Sequence, residues 1–262
     1  MLICLSIAGI ILSVILLYFN ARRYHSTLYL GLFFLVVSLY GMNQYVLLYS
    51  NSVLLVALIA TNISFTFYLI GPLLYWYIRS ILTDNSRLKR TDLLHFLPMV
   101  VYLAAALPYM LSPFSHKLEI AKEIINDLGF LSNFNFTVLS AVFSNTAVYL
   151  SRPLLALGYT LWAIGIFLRY LTQREKIIVL SGQIFMMKWL AVFLGFQLLL
   201  FVCHLSAIFI TFTAGSDVFF TLNTLQLLSA VGMIGLLSSP LFFPSILYGL
   251  PRIPDSFFKK KM

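Results

Sequence analysis

The stretch that decides the fold is Gly71-Pro72-Leu73-Leu74-Tyr75-Trp76-Tyr77-Ile78-Arg79-Ser80. It closes a long apolar run that begins near Ser52, and its aromatic cluster directly precedes the first of several positive charges. Aromatic rings with a polar edge concentrate at the headgroup level of a bilayer, and Arg or Lys just beyond them marks the cytoplasmic side. We therefore predict that a transmembrane helix leaves the membrane here, toward the cytoplasm, with the aromatic cluster as its interfacial anchor.

The composition excludes a water-soluble fold. Of the 262 residues, 61% are hydrophobic and only 10% are charged, and the mean hydropathy is +0.97. A soluble domain carries roughly 25% charged residues. A transmembrane β-barrel would alternate apolar and polar residues over segments of about 10 residues, whereas this chain has continuous apolar runs. The fold class is therefore predicted to be all-α, a polytopic membrane protein.

Seven apolar segments are long enough to be transmembrane helices. They cover residues 2–19, 27–49, 53–82, 93–110, 147–171, 184–212 and 219–242. Residues 1–250 would form one seven-helix domain, followed by a basic cytoplasmic tail, 251–262. The first segment has no basic leader or cleavage site, so we expect it to be retained; a count of six or eight spans stays open, mainly if it is removed.

Two features within this pattern depart from plain apolar helices. Gly71 and Pro72 are hinge candidates, because proline inside a helix removes a backbone hydrogen bond and bends the helix. The only long connection contains apolar residues at helical spacing among charged ones, and predicts an amphipathic helix over about 116–130. We expect that helix to lie on the outer membrane surface or to cap the bundle.

Lysine and arginine are distributed unequally between the two sides that alternating spans would define. The loops after the first, third and fifth spans with the residues that flank them, together with the tail, hold 14 of the 17 Lys and Arg residues, and the other side holds 3. Acidic residues divide 4 against 4, so the bias lies in the basic residues, as the positive-inside rule requires. We therefore expect an outside N-terminus, a cytoplasmic C-terminus, and a location in a bacterial cytoplasmic (inner) membrane.

Several polar side chains fall inside the predicted spans, mostly toward the outer half of the bilayer. We select eight as candidates for a ligand pocket: Asn43, Gln44, Asn62, Arg152, Gln197, His204, Asn223 and Gln226. The hypothesis is an outward-facing pocket for a small ligand from the outer side, with an anionic group facing Arg152. The alternative is structural: amides commonly bond between transmembrane helices for only about 0.6 kcal/mol, and Arg152 would then extend to the outer interface.

The sequence offers no chemistry of an enzyme. It contains no glycine-rich phosphate loop, no zinc-ligand spacing and no His-Glu-x-x-His motif. Cys203 and His204 are adjacent, so on a helix their side chains point about 100° apart and make a poor catalytic pair. We therefore predict no catalytic residue, no metal site and no cofactor.

Three stretches together carry a resemblance to a known family. They are Gly71–Arg79, Asp92-Leu93-Leu94-His95-Phe96-Leu97-Pro98 with Val101-Tyr102-Leu103 and Pro108-Tyr109 behind it, and Phe242-Phe243-Pro244-Ser245-Ile246-Leu247-Tyr248-Gly249-Leu250-Pro251. In this order and spacing they resemble the N-terminal seven-helix membrane region of membrane-bound AraC-family transcription regulators of Bacteroidota-type bacteria. The resemblance extends over nearly the whole chain.

The resemblance implies a sensory role. In that family a cytoplasmic helix-turn-helix domain follows the membrane region and binds DNA, but this chain ends soon after Pro251 and contains no such domain. We expect the output domain to be missing or to be a separate polypeptide, with no direct nucleic-acid contact by this chain. The bilayer is the expected partner, a homodimer is left open, and a small-molecule transporter or channel is the alternative function.

Overall fold

The computed structural model describes residues 2–21, 25–60, 62–83, 86–127, 129–174, 181–213 and 219–243. Within these ranges every regular element is a helix and there is no strand. Six helices are long and apolar enough to cross a membrane, or seven if a bent pair, Val53–Ala60 and Ser64–Thr83, is one span. The predicted all-helical fold is confirmed for the described residues, and the six to seven candidate spans are compatible with a multi-pass membrane protein.

Ten α-helices are described, and we number them in chain order. They are α1 (Leu2–Ile15), α2 (His25–Tyr49), α3 (Val53–Leu55), α4 (Ile70–Thr83), α5 (Leu97–Met110), α6 (Phe114–Asn126), α7 (Phe130–Asn133), α8 (Asn145–Arg174), α9 (Ser181–Thr213) and α10 (Phe219–Phe242). Short π-helical turns extend α1 (Leu16–Asn20) and α3 (Val56–Ala60), and 3-10 helices cover Ser64–Leu69, Arg90–Phe96 and Val138–Ala141. The predicted basic tail, 251–262, lies outside the described residues.

The third predicted span is broken, and the break lies earlier than expected. Val53–Ala60 and Ser64–Thr83 meet at 45°, whereas we predicted the bend at Gly71 and Pro72. Pro72 lies in the first turn of α4, directly after a 3-10 helix, where proline is tolerated. A hinge motion at Gly71 and Pro72 stays a prediction, but the large bend belongs to the residues before Ser64.

Six helices pack as a closed series of neighbours. α1 contacts α2, α2 contacts α4, α4 contacts α8, α8 contacts α9, α9 contacts α10, and α10 returns to α1. The core between them is apolar and aromatic; Phe193 of α9 packs edge-on against Phe33 and Phe34 of α2 and against Tyr77 of α4. α5 lies outside this series against the 3-10 helix Ser64–Leu69. Its outward side is rich in exposed leucine and valine, as lipid contact requires.

The end of the bundle that carries Arg79, which we call the Arg79 end, is filled with aromatic side chains. Trp76 and Tyr77 are each only 2% exposed, and the indole Nε1–H of Trp189 donates to the Tyr77 hydroxyl at 2.7 Å. These two rings therefore face protein, which differs from the predicted headgroup anchor, because α2, α9 and the segment around Phe96 cover this face of α4. Tyr75 is half-buried and stacks on Trp162 at 4.5 Å.

The long connection docks on the opposite end. α6 buries Ile120, Ala121 and Ile124 against the C-terminal part of α2 and the broken third span. One cation of α6 is buried with it: Lys117 Nζ donates to the Met110 carbonyl at 2.6 Å and to the Asn62 amide oxygen at 3.2 Å. The amphipathic segment thus caps this end of the bundle, one of the two placements that its pattern predicts.

Candidate functional site

A cavity of about 390 Å³ opens at the capped end of the bundle. α2, α8, α9 and α10 supply most of its wall, with Leu2 of α1 and residues beside α7 at its margin. Five of the eight predicted pocket residues line it: Asn43, Gln44, Arg152, His204 and Gln226. The structure therefore brings together residues that are separated by most of the chain, although ligand binding there stays a prediction.

Arg152 is the only formally charged side chain in the wall of this cavity, as far as the described residues show. It is 7% exposed, and its Nη2 donates a hydrogen bond to the hydroxyl of Tyr102 on α5. Its guanidinium carbon lies 4.8 Å from the centre of the Tyr102 ring and 5.0 Å from that of Tyr149. Arg152 thus stays inside the protein, held by cation–π contacts, rather than reaching the outer interface.

A second polar contact joins α2 and α9 in the wall. The Tyr40 hydroxyl and His204 Nε2 lie 2.6 Å apart, and either can be the donor, depending on the imidazole tautomer. Nearer the margin, the Tyr49 hydroxyl donates to the Gln226 amide oxygen at 3.1 Å. Asn43 is almost fully buried, and its amide oxygen has no hydrogen-bond partner among the described residues. The wall therefore combines satisfied and unsatisfied polar groups.

Three predicted residues lie elsewhere. Asn62 donates to the carbonyls of Ala57 and Leu58 at 2.9 and 3.0 Å, and so stabilises the break in the third span. Gln197 is fully buried outside the cavity wall, and neither atom of its amide has a partner within the described ranges. Asn223 is exposed on α10 and does not line the cavity.

The sequence prediction missed the tyrosines that surround Arg152. Tyr149 precedes Arg152 by one helical turn, so helical spacing alone placed it on the same face. Tyr102 and Tyr40 come from α5 and α2, and no local pattern relates them to α8. Tyr68 is part of the same group, since its hydroxyl lies 2.6 Å from Ser151 Oγ and its ring packs on Tyr102.

The described residues hold no group of three or more His, Cys, Asp or Glu side chains that could bind a metal ion. Comparison of the chain with models of known families, with curated proteins and with solved structures finds no match. The fold and cavity therefore define a class only, an all-helical protein with six to seven candidate membrane spans and a polar cavity at one end.

Proposed function

We propose that this chain is a membrane-embedded sensory module that binds a small ligand in the cavity and transmits the event to the cytoplasm. It would be the sensor part of a membrane-bound transcription regulator, as the family resemblance implies. In this proposal the cavity faces the outer side of a bacterial inner membrane, the Arg79 end faces the cytoplasm, and no catalytic step occurs.

One observation carries the proposal, namely the polar cavity at one end of a bundle whose other end is densely packed. Tyr40, Arg152 and His204 converge on the cavity from three different helices. Beyond it lie the buried rings of Trp76, Trp189 and neighbouring aromatic residues. A site of this size and mixed polarity suits a small molecule. Helices that line the cavity and also reach the Arg79 end can transmit a displacement from one to the other.

The broken third span favours a second candidate function, a small-molecule transporter or channel. Transporters often use discontinuous helices near the middle of the membrane, and Val53–Ala60 and Ser64–Thr83 form such a pair. The densely packed Arg79 end argues against a continuous transport pathway through the bundle, so transport ranks below sensing. Flux of ligand into reconstituted vesicles, faster than into protein-free vesicles, would favour transport.

Intrinsic tryptophan fluorescence tests the sensory proposal directly. All three tryptophans, Trp76, Trp162 and Trp189, lie in the aromatic cluster of the Arg79 end, and none lines the cavity. We expect that at least one class among anionic, neutral and cationic amphiphiles changes the emission of the purified chain in nanodiscs. Since none of the indoles lines the cavity, a change that disappears when the cavity is blocked would report transmission through the helices.

A matched pair of variants controls this experiment. Ala230→Phe places a ring in the cavity wall and should abolish the fluorescence response. Gly165→Phe adds the same ring on α8, where nothing lies within 4 Å of an added Cβ, and should keep it. An unchanged emission spectrum with all three probe classes, or an equal response in Ala230→Phe, would contradict the sensory proposal.

A further inference from the structure

We propose that the ligand of the cavity is an amphipathic anion, with its charged group against Arg152 and its apolar body against α9 and α10. This assignment names the ligand class for the sensory function proposed above and rests on it. It is carried by three observations: an uncompensated buried cation, free donor capacity on that cation, and an apolar wall beside it.

The first observation is that none of the described acidic residues pairs with Arg152. Of the four acidic residues in the described part of the chain, Asp92 is bonded to Arg79, and Glu119, Glu123 and Asp127 neither line the cavity nor form an ion pair there. A buried charge without a partner is costly, above all inside a membrane. An anion that enters the cavity would remove part of that cost, so the site favours negative ligands.

The second observation is the geometry of the donors. Nη2 of Arg152 is bonded to Tyr102, but Nε is buried and has no partner within the described residues. The rings of Tyr102 and Tyr149 stabilise the guanidinium through their faces, yet they leave its net charge in place. A guanidinium presents several N–H donors in a fixed plane, which suits a carboxylate or phosphate group better than a single hydroxyl.

The third observation is the composition of the remaining wall. Besides Arg152 the cavity is lined by aliphatic and sulfur-containing side chains, among them Leu47, Leu200, Ile208, Ala230 and Met233. Such a surface gains free energy from covering an apolar group, whereas a fully hydrated inorganic anion would leave it in contact with water. A buried cation and an apolar surface in one cavity together match a molecule with one anionic end and one hydrocarbon end.

Two sources share this chemistry, a free carboxylate with an alkyl chain and an anionic lipid of the bilayer. The probe that we would use is radiolabelled decanoate, added to the purified full chain in phosphatidylcholine nanodiscs. We expect saturable binding, with decanol and decyltrimethylammonium competing at least about tenfold more weakly, because neither can form a charge-assisted bond with Arg152. Nanodiscs that contain phosphatidylglycerol distinguish the two sources. Competition by this lipid identifies an anionic lipid of the bilayer as the ligand, and a lack of competition identifies a free carboxylate.

Variants of the cavity complete the test. Arg152→Gln should lower decanoate affinity at least about tenfold and leave decanol binding nearly unchanged. Ala230→Phe should abolish the binding of both compounds, whereas Gly165→Phe should leave both unchanged. Equal affinity for decanoate and decanol in the unaltered protein would overturn the assignment, as would absent saturable decanoate binding or full affinity in Arg152→Gln.

Asp217 lies outside the described residues and provides one more decisive variant. If it were the counterion of Arg152, Asp217→Asn would strengthen decanoate binding by vacating the guanidinium, and the premise of an unpaired cation would fail; unchanged affinity supports that premise. The sensory proposal fails separately: saturable decanoate binding with no change in tryptophan emission would contradict transmission while leaving the ligand class standing.

Discussion

At the scale of single residues, two arginines of this chain have different partners for their positive charge. Arg79 donates to the carboxylate of Asp92 at 2.7 Å and to the carbonyl of Arg87 at 3.2 Å. Arg152 has tyrosine hydroxyls and ring faces instead of a carboxylate. The first arrangement is complete without a ligand, whereas the second leaves a net positive charge among the described residues, and this contrast separates a structural arginine from a candidate binding residue.

The Arg79–Asp92 pair is expected to stabilise the connection between α4 and α5. Asp92 also accepts from the backbone N–H of Lys89 at 2.7 Å, so its carboxylate holds both the helix end and the loop. Because the side chains are only 12% and 5% exposed, Asp92→Asn or Arg79→Gln should each lower the free energy of unfolding by about 3 kcal/mol. Unfolding in detergent by denaturant or heat measures this loss.

A double-mutant cycle separates the pair from other effects of the substitutions. The double variant should lose less than the sum of the two single variants, with a coupling of about 1 kcal/mol or more. Additive losses would mean that Arg79 and Asp92 act independently, and the ion pair would then contribute nothing of its own.

At the scale of elements, hydropathy predicted where helices lie better than how they are shaped. A helix needs about 20 apolar residues to span the bilayer, so long apolar runs directly indicated α2 and α10. The predicted bounds were 27–49 and 219–242, and the structure has His25–Tyr49 and Phe219–Phe242. The break before Ser64 could not be predicted in the same way. It depends on the Asn62 side chain bonding the carbonyls of Ala57 and Leu58 and accepting from Lys117, a residue of a distant helix.

The contact between α4 and α8 yields a prediction at this scale. A Cβ added at Gly71 would overlap the ring of Tyr159, whereas nothing lies within 4 Å of one added at Gly158. Gly71→Ala should therefore destabilise the bundle by about 1–3 kcal/mol, the usual cost of overpacking. Gly158→Ala should be neutral or stabilising by up to about 1 kcal/mol, because alanine favours the helix.

Thermal unfolding of the two alanine variants in the same detergent makes this comparison. Equal midpoints for Gly71→Ala and Gly158→Ala would show that α4 and α8 do not approach as closely as the structure indicates. The pair also tests the hinge hypothesis, since a Gly71 that serves only as a hinge would change the ligand response of the tryptophans and not the stability.

At the scale of the whole molecule, the candidate site was only partly visible in the sequence. Polarity inside an apolar run selected Arg152 and His204, which do line the cavity, but it equally selected Gln197, which does not. Gln197 and His204 are two turns apart on α9, and the cavity reaches only the second. Which part of a long helix meets a cavity depends on how its neighbours diverge, and hydropathy carries no information on that.

The predicted topology is a property of the whole chain, and two positions test it. Ser115 in α6 and Leu88 are both exposed, and one candidate span, Arg90–Met110, separates them. The charge distribution places Leu88 in the cytoplasm and Ser115 outside. With Cys4 and Cys203 replaced by alanine, a membrane-impermeant maleimide applied to intact spheroplasts should label Ser115→Cys, and should label Leu88→Cys only after permeabilisation.

Two results would contradict this topology in different ways. Labelling of Leu88→Cys and not of Ser115→Cys in intact cells would invert the orientation, move the cavity to the cytoplasmic side and require an internal source for its ligand. Labelling of both positions from outside would mean that Arg90–Met110 does not cross the membrane. Arg152 would still be held by Tyr102 of α5, but α5 would then belong to a peripheral cap.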